Sequence, residues 1–175
     1  MSFSLPHHYQ WVDCQFDLHG KAILAIWNHE ILHSTALYES EPRQLAMVEA
    51  WFESKQQLNF PVIGVVAPNG ELAGFASFGH FRPQPLSHAT LEHSIYIQAQ
   101  HQGLGLGKPL LARLIDAATA QNFHAMIGVI DAQNQASIAL HQKLGFRHVG
   151  HMPQMAKKFN RWLDADFYQL ILTDA

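Results

Sequence analysis

The sequence predicts a mixed α/β (α+β) fold, a single domain built around one sheet, and three observations carry that prediction. Two segments of helical periodicity fill the first third of the chain. Short apolar runs bounded by turn residues follow them. One of those runs passes through a glycine-rich turn straight into another amphipathic segment. The length of 175 residues, 48% of them apolar and 14% charged, suits one domain able to bury a core.

Residues 21–33 (KAILAIWNHEILH) place apolar side chains at helical spacing. The next helix is expected over 41–57, with Pro42 in the first turn and Leu45, Val48, Trp51 and Phe52 on one face. Residues 61–67 (PVIGVVA) and 71–78 (ELAGFASF) predict two strands joined by a tight hairpin at Asn69-Gly70. A proline-broken loop over 81–87 leads to a strand at 90–97 (TLEHSIYI). Beyond the glycine turn, a helix over 108–121 directs Leu110, Leu111, Leu114, Ile115 and Ala118 inward. A buried strand at 126–131 (MIGVID), a short helix at 137–144 capped by Gly145, and strands at 146–149 and 167–172 complete the chain.

Composition narrows the function. A net charge of −3 argues against a general nucleic-acid binder. The first basic residue is Lys21 and no long apolar run follows the N-terminus, so neither a signal peptide nor a membrane span is expected, and the cytoplasm is the expected compartment. Cys14 is the one cysteine, which excludes a disulfide within the chain. The 13 histidines are scattered, as composition rather than as a metal cluster.

The segment Gln102-Gly103-Leu104-Gly105-Leu106-Gly107-Lys108-Pro109 joins a strand to a helix. Alternate glycines let backbone N–H groups crowd toward one point without Cβ clashes. A helix N-terminus adds free donors and a favourable dipole, a combination suited to phosphate. The Walker pattern fails, because Gln102 stands where its first glycine belongs and Pro109 where Ser or Thr should follow the lysine. The dinucleotide pattern begun at Gly103 fails at Lys108. Taken alone, the segment also fits a plain glycine-rich connection.

Gln102, Gly105 and Gly107 satisfy the Q/R-x-x-G-x-G/A signature, and Asn134-x-x-Ser137-x-x-x-His141-x-x-x-Gly145-Phe146 follows downstream. Together these segments resemble the GNAT superfamily of acetyltransferases. The resemblance implies a central, mostly antiparallel twisted sheet flanked by helices, and acetyl-CoA as co-substrate with no metal. It assigns the pantetheine arm to the backbone of Ile95, Tyr96 and Ile97. The pyrophosphate falls to Gly103, Leu104, Gly105, Leu106, Gly107 and Lys108, with Asn134, Ser137 and Lys143 as further cofactor contacts. Asn134 as a turn residue and Ser137 as a helix cap are the ordinary alternatives. No acidic residue occurs from 132 to 163, whereas Lys143, Arg147, Lys157, Lys158 and Arg161 do. That stretch fits either a surface for a phosphorylated ligand or a solvated basic face.

Acetyl transfer needs a neutral amine, hence a base, and a leaving thiolate that an acid can help. Glu92 is the candidate base, sharing one side of its strand with Ser94 and Tyr96; holding the substrate ammonium is its alternative role. His141 stands where many superfamily members carry tyrosine. An imidazole there could protonate the thiolate, hold the cofactor or pack on the sheet.

A longer resemblance covers residues 20–172. Trp27-Asn28-His29-Glu30, Glu41-Pro42-Arg43, Glu92-His93-Ser94-Ile95-Tyr96 and the 157–163 segment KKFNRWL are similar to the phosphinothricin and methionine sulfoximine acetyltransferases. It implies a small amino acid as acceptor and a homodimer with pockets near the subunit junction. Arg82 is the candidate carboxylate or oxyanion ligand, with Pro83 and Gln84 shaping its loop and Leu91 and His93 flanking the base. Arg82 as a solvated loop charge is the other reading. Three further functions compete. A peptide N-terminus is the alternative acceptor. A non-catalytic acyl-CoA sensor would keep the turn without needing Glu92. His29-Glu30-Ile31-Leu32-His33 is a literal H-E-x-x-H, which on a helix could bind zinc through His29 and His33 with Glu30 as base.

Overall fold

The computed structural model describes residues 3–6 and 8–172. Its order is β1 (Gln10–Asp13), α1 (Phe16–His33), α2 (Leu45–Gln57), β2 (Val62–Val66), β3 (Leu72–His80), β4 (Thr90–Ile97), α3 (Gly107–Ala120), β5 (Ala125–Asp131), α4 (Gln135–Lys143), β6 (Arg147–Lys158) and β7 (Arg161–Ile171). The seven strands form one sheet in the order β1-β2-β3-β4-β5-β7-β6. Every neighbouring pair is antiparallel except β4 and β5.

Helix α1 begins at Phe16 rather than at 21, and three further departures from the sequence expectation each have a physical reason. β1 is a four-residue edge strand, too short for any periodic signal. α2 begins at Leu45 rather than at 41, because the 41–44 segment is held elsewhere. Asn28 accepts from the Arg43 N–H at 2.8 Å and donates to the Arg43 carbonyl at 3.1 Å. The Arg43 guanidinium meanwhile lies 4.2 Å over the Trp27 ring and donates two hydrogen bonds to Glu39. The third departure is the closing hairpin, expected as two short strands and found as strands of 12 and 11 residues. β6 lies at the sheet's end, carries Pro153 and shifts register twice, so its side chains do not alternate.

Helices α1 and α2 cover one face of the sheet. Ile23, Ile26, Trp27 and Val48 pack there on Val62, Leu72, Phe75 and Tyr96. Helix α3 covers the other face, where Leu110, Leu111 and Leu114 meet Ile63, Ala76, Phe78, Leu91 and Met126. A bulge where β2 pairs β3 at Val65/Val66 lets Leu72 and Phe75 share one face although they are three residues apart. Gly145 caps α4 as expected, at φ +88°.

The β6–β7 turn has two central residues, Phe159 and Asn160, at φ +51° and +60°. A left-handed phenylalanine is costly, whereas this turn class favours Asn-Gly. The double substitution Phe159→Asn, Asn160→Gly is expected to raise stability by about 1 kcal/mol. Urea unfolding checks this, and an unchanged or lowered midpoint would refute it.

Candidate active site

The parallel pairing of β4 with β5 is brief. It joins Thr90 to Ala125, Leu91 to Met126 and Glu92 to Ile127, and then stops. From His93 and Gly128 onward the strands diverge, while β4 stays paired to β3 and β5 to β7 along their lengths. A cleft of about 660 Å³ fills the fork, lined on its inner walls by His93, Ile95, Gly128, Ile130, Ser137 and His141. Along the edge of β4 that faces the fork, no strand pairs residues 93–97 among the described residues. That edge offers backbone donors and acceptors to an extended ligand, as the pantetheine arm requires.

A single 3₁₀ turn, Ala99–His101, carries β4 into the glycine turn. Gly103 and Gly105 stand at φ +74° and +81°, and a Cβ added to either would meet nothing within 4 Å. Both are therefore needed for backbone conformation, and their surroundings are open. Gly107 serves packing instead: a Cβ there would stand 3.3 Å from the Leu140 side chain, so α3 and α4 approach closely. Helix α3 has no side-chain cap, which leaves its first-turn N–H groups for a ligand. The Gln102 amide donates to the Ile97 carbonyl at 3.1 Å and fastens the turn to the strand. Leu104 is exposed, while the Leu106 side chain is buried in the core and only its backbone can serve a ligand. Lys108 lies over the Phe3 ring. A diverging strand edge, an open turn and an uncapped helix fit a phosphorylated, amide-bearing cofactor such as acetyl-CoA.

Strand alternation sends β4 side chains to opposite walls. Leu91 turns to the α3 core, Tyr96 to α1 and α2. Glu92 shares the Tyr96 side, where Tyr38, Glu39, Arg82 and Asp131 also line the cleft. Asp131 is committed: one carboxylate oxygen accepts from the Thr35 hydroxyl and the other from the Gln133 N–H. Glu92 has no hydrogen-bond partner among the described residues, so it is the uncommitted carboxylate of this wall. Although its edge reaches solvent, partial burial pushes its carboxyl upward, against the opposing pull of the Arg82 guanidinium. Arg82 stacks on its neighbour Phe81 at 4.6 Å. Burial, with Asp131 and Glu92 nearby, raises the Tyr38 hydroxyl.

On the opposite wall, His141 and His93 form a buried pair. His141 Nδ1 lies 2.7 Å from the Ser137 carbonyl and its Nε2 lies 2.9 Å from His93 Nε2. The rings stack at 5.0 Å, and Phe146 stands edge-on to both. A Cβ at Gly128 would come within 2.9 Å of both Nε2 atoms, so the strand is bare where the imidazoles sit. Burial lowers both groups, His93 well below 6.5.

The structure therefore gathers Arg82, Glu92, His93, Ile95, Tyr96, Asn134, Ser137 and His141 at one cleft. Asn134 also caps α4, accepting from the Ser137 N–H at 3.0 Å, so Ser137 is the capped residue and not the cap. Leu91 is not brought there: its side chain is fully buried in the core, which removes it from substrate contact. Pro83 and Gln84 shape the exposed loop, their carbonyls accepting from His88 Nε2 and the Ser87 hydroxyl, but do not line the cleft. Lys143 is exposed at the end of α4. The basic stretch forms no single surface on the cleft: Lys158 donates to the Leu37 carbonyl, Arg161 to Gln133, and Lys157 lies over Trp162. His29 and His33 are exposed, whereas Glu30 turns inward and accepts from Ser34, away from both rings. No three metal-ligating side chains converge among the described residues. Sequence reasoning missed Tyr38, Asp131, Gly128, Met152 and Met155. Only Asp131, an acid at the end of an apolar strand, carried a visible signal.

The imidazole pair has a linkage consequence. The folded protein keeps both rings neutral below 6.5, while the unfolded chain takes up protons there. Their contribution is complete above pH 6.5 and is lost as the pH falls below it, at about 1.4 kcal/mol per pH unit for each proton taken up. Urea midpoints should fall between pH 7.5 and 5.5, and less so in a His93→Gln, His141→Gln double variant. Equal slopes for both proteins would refute the assignment.

Comparison with known proteins agrees with this geometry. The sequence profile of the Acetyltransferase (GNAT) family matches residues 23–146. An L-methionine sulfoximine/L-methionine sulfone acetyltransferase of Pseudomonas aeruginosa is 43% identical over 156 residues, 89% of this chain and 90% of that protein. An L-amino acid N-acyltransferase of Escherichia coli is 44% identical over 153 residues, 87% of this chain and 88% of its own length. A phosphinothricin N-acetyltransferase of Streptomyces viridochromogenes is 31% identical over 149 residues, covering 85% and 80%. A Salmonella typhimurium acetyltransferase solved with its cofactor acetyl-CoA superposes with a TM-score of 0.93 at 39% identity, over 97% of this chain and 96% of that one. The chain belongs to the GNAT acetyltransferase family and is an N-acetyltransferase that uses acetyl-CoA.

Proposed function

We propose that the acceptor is the α-amino group of a small free amino acid of the methionine sulfoximine, methionine sulfone or phosphinothricin kind, with Glu92 as general base. The observation that carries this reading is the presence of Arg82 and Glu92 on one cleft, near enough for the guanidinium to pull on the carboxyl. A free amino acid bears a carboxylate and an ammonium on the same carbon and can satisfy both side chains. A peptide N-terminus has no carboxylate at that place. Leu37, Val129, Met152, Met155 and Phe167 supply an apolar lining for a methionine-sized side chain. The names of the relatives support the same class of acceptor.

Acetyl-CoA supplies the acetyl group as an activated thioester. The residues of this chain do the rest. Arg82 holds the acceptor carboxylate and so points its nitrogen at the fork. Glu92 takes the ammonium proton, directly or through water, and its upward shift makes it a stronger base than an ordinary carboxylate. The free edge at Ile95, Tyr96 and Ile97 aligns the pantetheine arm, while the glycine turn and the start of α3 hold the pyrophosphate. Asn134 and Ser137 border the same path.

The proposed setting is a cytoplasmic homodimer. Val149, Met152, Met155, Phe159 and Trp162 are exposed apolar side chains of the closing hairpin, and Met152 and Met155 also line the cleft. A second copy seated on that hairpin would close the outer side of the pocket.

Thiol release from acetyl-CoA, measured across free amino acids, their α-carboxamides and short peptides, tests the acceptor. Methionine sulfone should exceed its carboxamide by roughly ten- to a hundredfold in kcat/KM, and Arg82→Ala should erase the difference. Turnover confined to peptides would sink this reading. Glu92→Gln should lower kcat by about 10²–10³ with acetyl-CoA binding kept. It should also leave the protein at least as stable, since it removes a partly desolvated carboxylate. Unchanged turnover would remove Glu92 from the mechanism.

A further inference from the structure

The imidazole pair fixes its own hydrogens. A carbonyl oxygen only accepts, so His141 Nδ1 carries the proton donated to Ser137. In the neutral ring Nε2 is then an acceptor, and the 2.9 Å contact requires His93 Nε2 to carry the bridging hydrogen. His93 Nδ1 is left with a bare lone pair, buried and without a partner among the described residues. Both nitrogens of His141 are occupied, and the unspent one in the pair belongs to His93.

We propose that His93 is a positioning residue for acetyl transfer: by donating Nε2–H to His141 it locks that ring in one tautomer and plane on its wall of the fork. This rests on the cleft being the site of acetyl transfer.

Three features of the surroundings suit this role. Gly128 has no side chain where both Nε2 atoms need room. Phe146 contacts both rings edge-on and holds their planes. Among the described residues no carboxylate is hydrogen-bonded or ion-paired to the two rings. The other titratable side chain in ring contact is Tyr168, 6.4 Å from His141. His93 is the β4 residue that reaches the α4 imidazole. Glu92 and His93, adjacent in sequence, thus serve opposite walls of one fork.

The test reads the tautomers without substrate, so its outcome is independent of the acceptor panel. Histidine-selective ¹⁵N NMR of the full protein at pH 7.5 should show His141 as the Nδ1–H form and His93 as the Nε2–H form. His93→Gln keeps an N–H donor and should preserve the His141 tautomer, with kcat lowered less than threefold and KM for acetyl-CoA unchanged. His93→Leu removes the donor; the His141 ring should then show both tautomers, and kcat should fall roughly ten- to a hundredfold, again at unchanged KM. Mixed tautomers of His141 in the unaltered protein would overturn the proposal. So would a His93→Leu variant with unaltered kcat, or a His93→Gln variant as impaired as His93→Leu. If His93→Leu does not fold, the spectrum of the unaltered protein and the behaviour of His93→Gln decide the matter.

Discussion

The structure depends on a pairing that is abandoned. β4 and β5 run parallel for three residue pairs and then part at Glu92 and Ile127. Backbone polar groups in a protein interior need partners, so two central strands that separate must face water or a ligand. Everything placed at the fork follows from this. The outer strands stay fully paired, which confines the opening to one place in the sheet. The glycine turn follows one 3₁₀ turn beyond the free edge of β4 and is fastened back to Ile97 by Gln102, so a ligand lying along that edge arrives at the uncapped end of α3.

Period-two alternation divides the chemistry at the fork. Even-numbered β4 residues face the wall of Arg82 and Tyr38, and His93 faces α4 and its imidazole partner. A shift of one residue in the β3–β4 register would exchange the two walls and place a carboxylate in the apolar α3 core. Seven consecutive β3–β4 pairs hold that register. Gly74 helps, since a Cβ there would come within 2.7 Å of the Tyr96 carbonyl and no larger residue would allow the strands to approach.

Much of this was legible in the chain. The β4 span, the amphipathic α3 and the Gly145 cap are local features, governed by periodicity and backbone freedom, and the structure keeps them with shifts of a residue or none. The glycine turn and the Asn134–Phe146 segment stood out because each is a compact run at fixed spacing. The wall that carries Glu92 did not. Tyr38 and Asp131 are brought together by folding, through Thr35 on Asp131 and Asn28 on Arg43, and neither contact leaves a spacing signal. Leu91 went wrong for a related reason: adjacency to Glu92 in sequence means the opposite face of a strand. The basic stretch misled because charge counted along a chain says nothing about where each lysine spends its donors, and Lys158 spends its own on Leu37.

That Lys158 bond has a further consequence. It ties the closing hairpin to the 34–44 loop, while the loop is tied in turn to α1 and β5 through Asn28 and Asp131. The wall proposed for the acceptor is thus a set of loops joined by individual polar links, and the opposite wall backs onto one continuous apolar core under α3. Single substitutions can re-set the first without touching the second. Lineages built on this frame are free to change which molecule receives the acetyl group while the apparatus that delivers it stays constant.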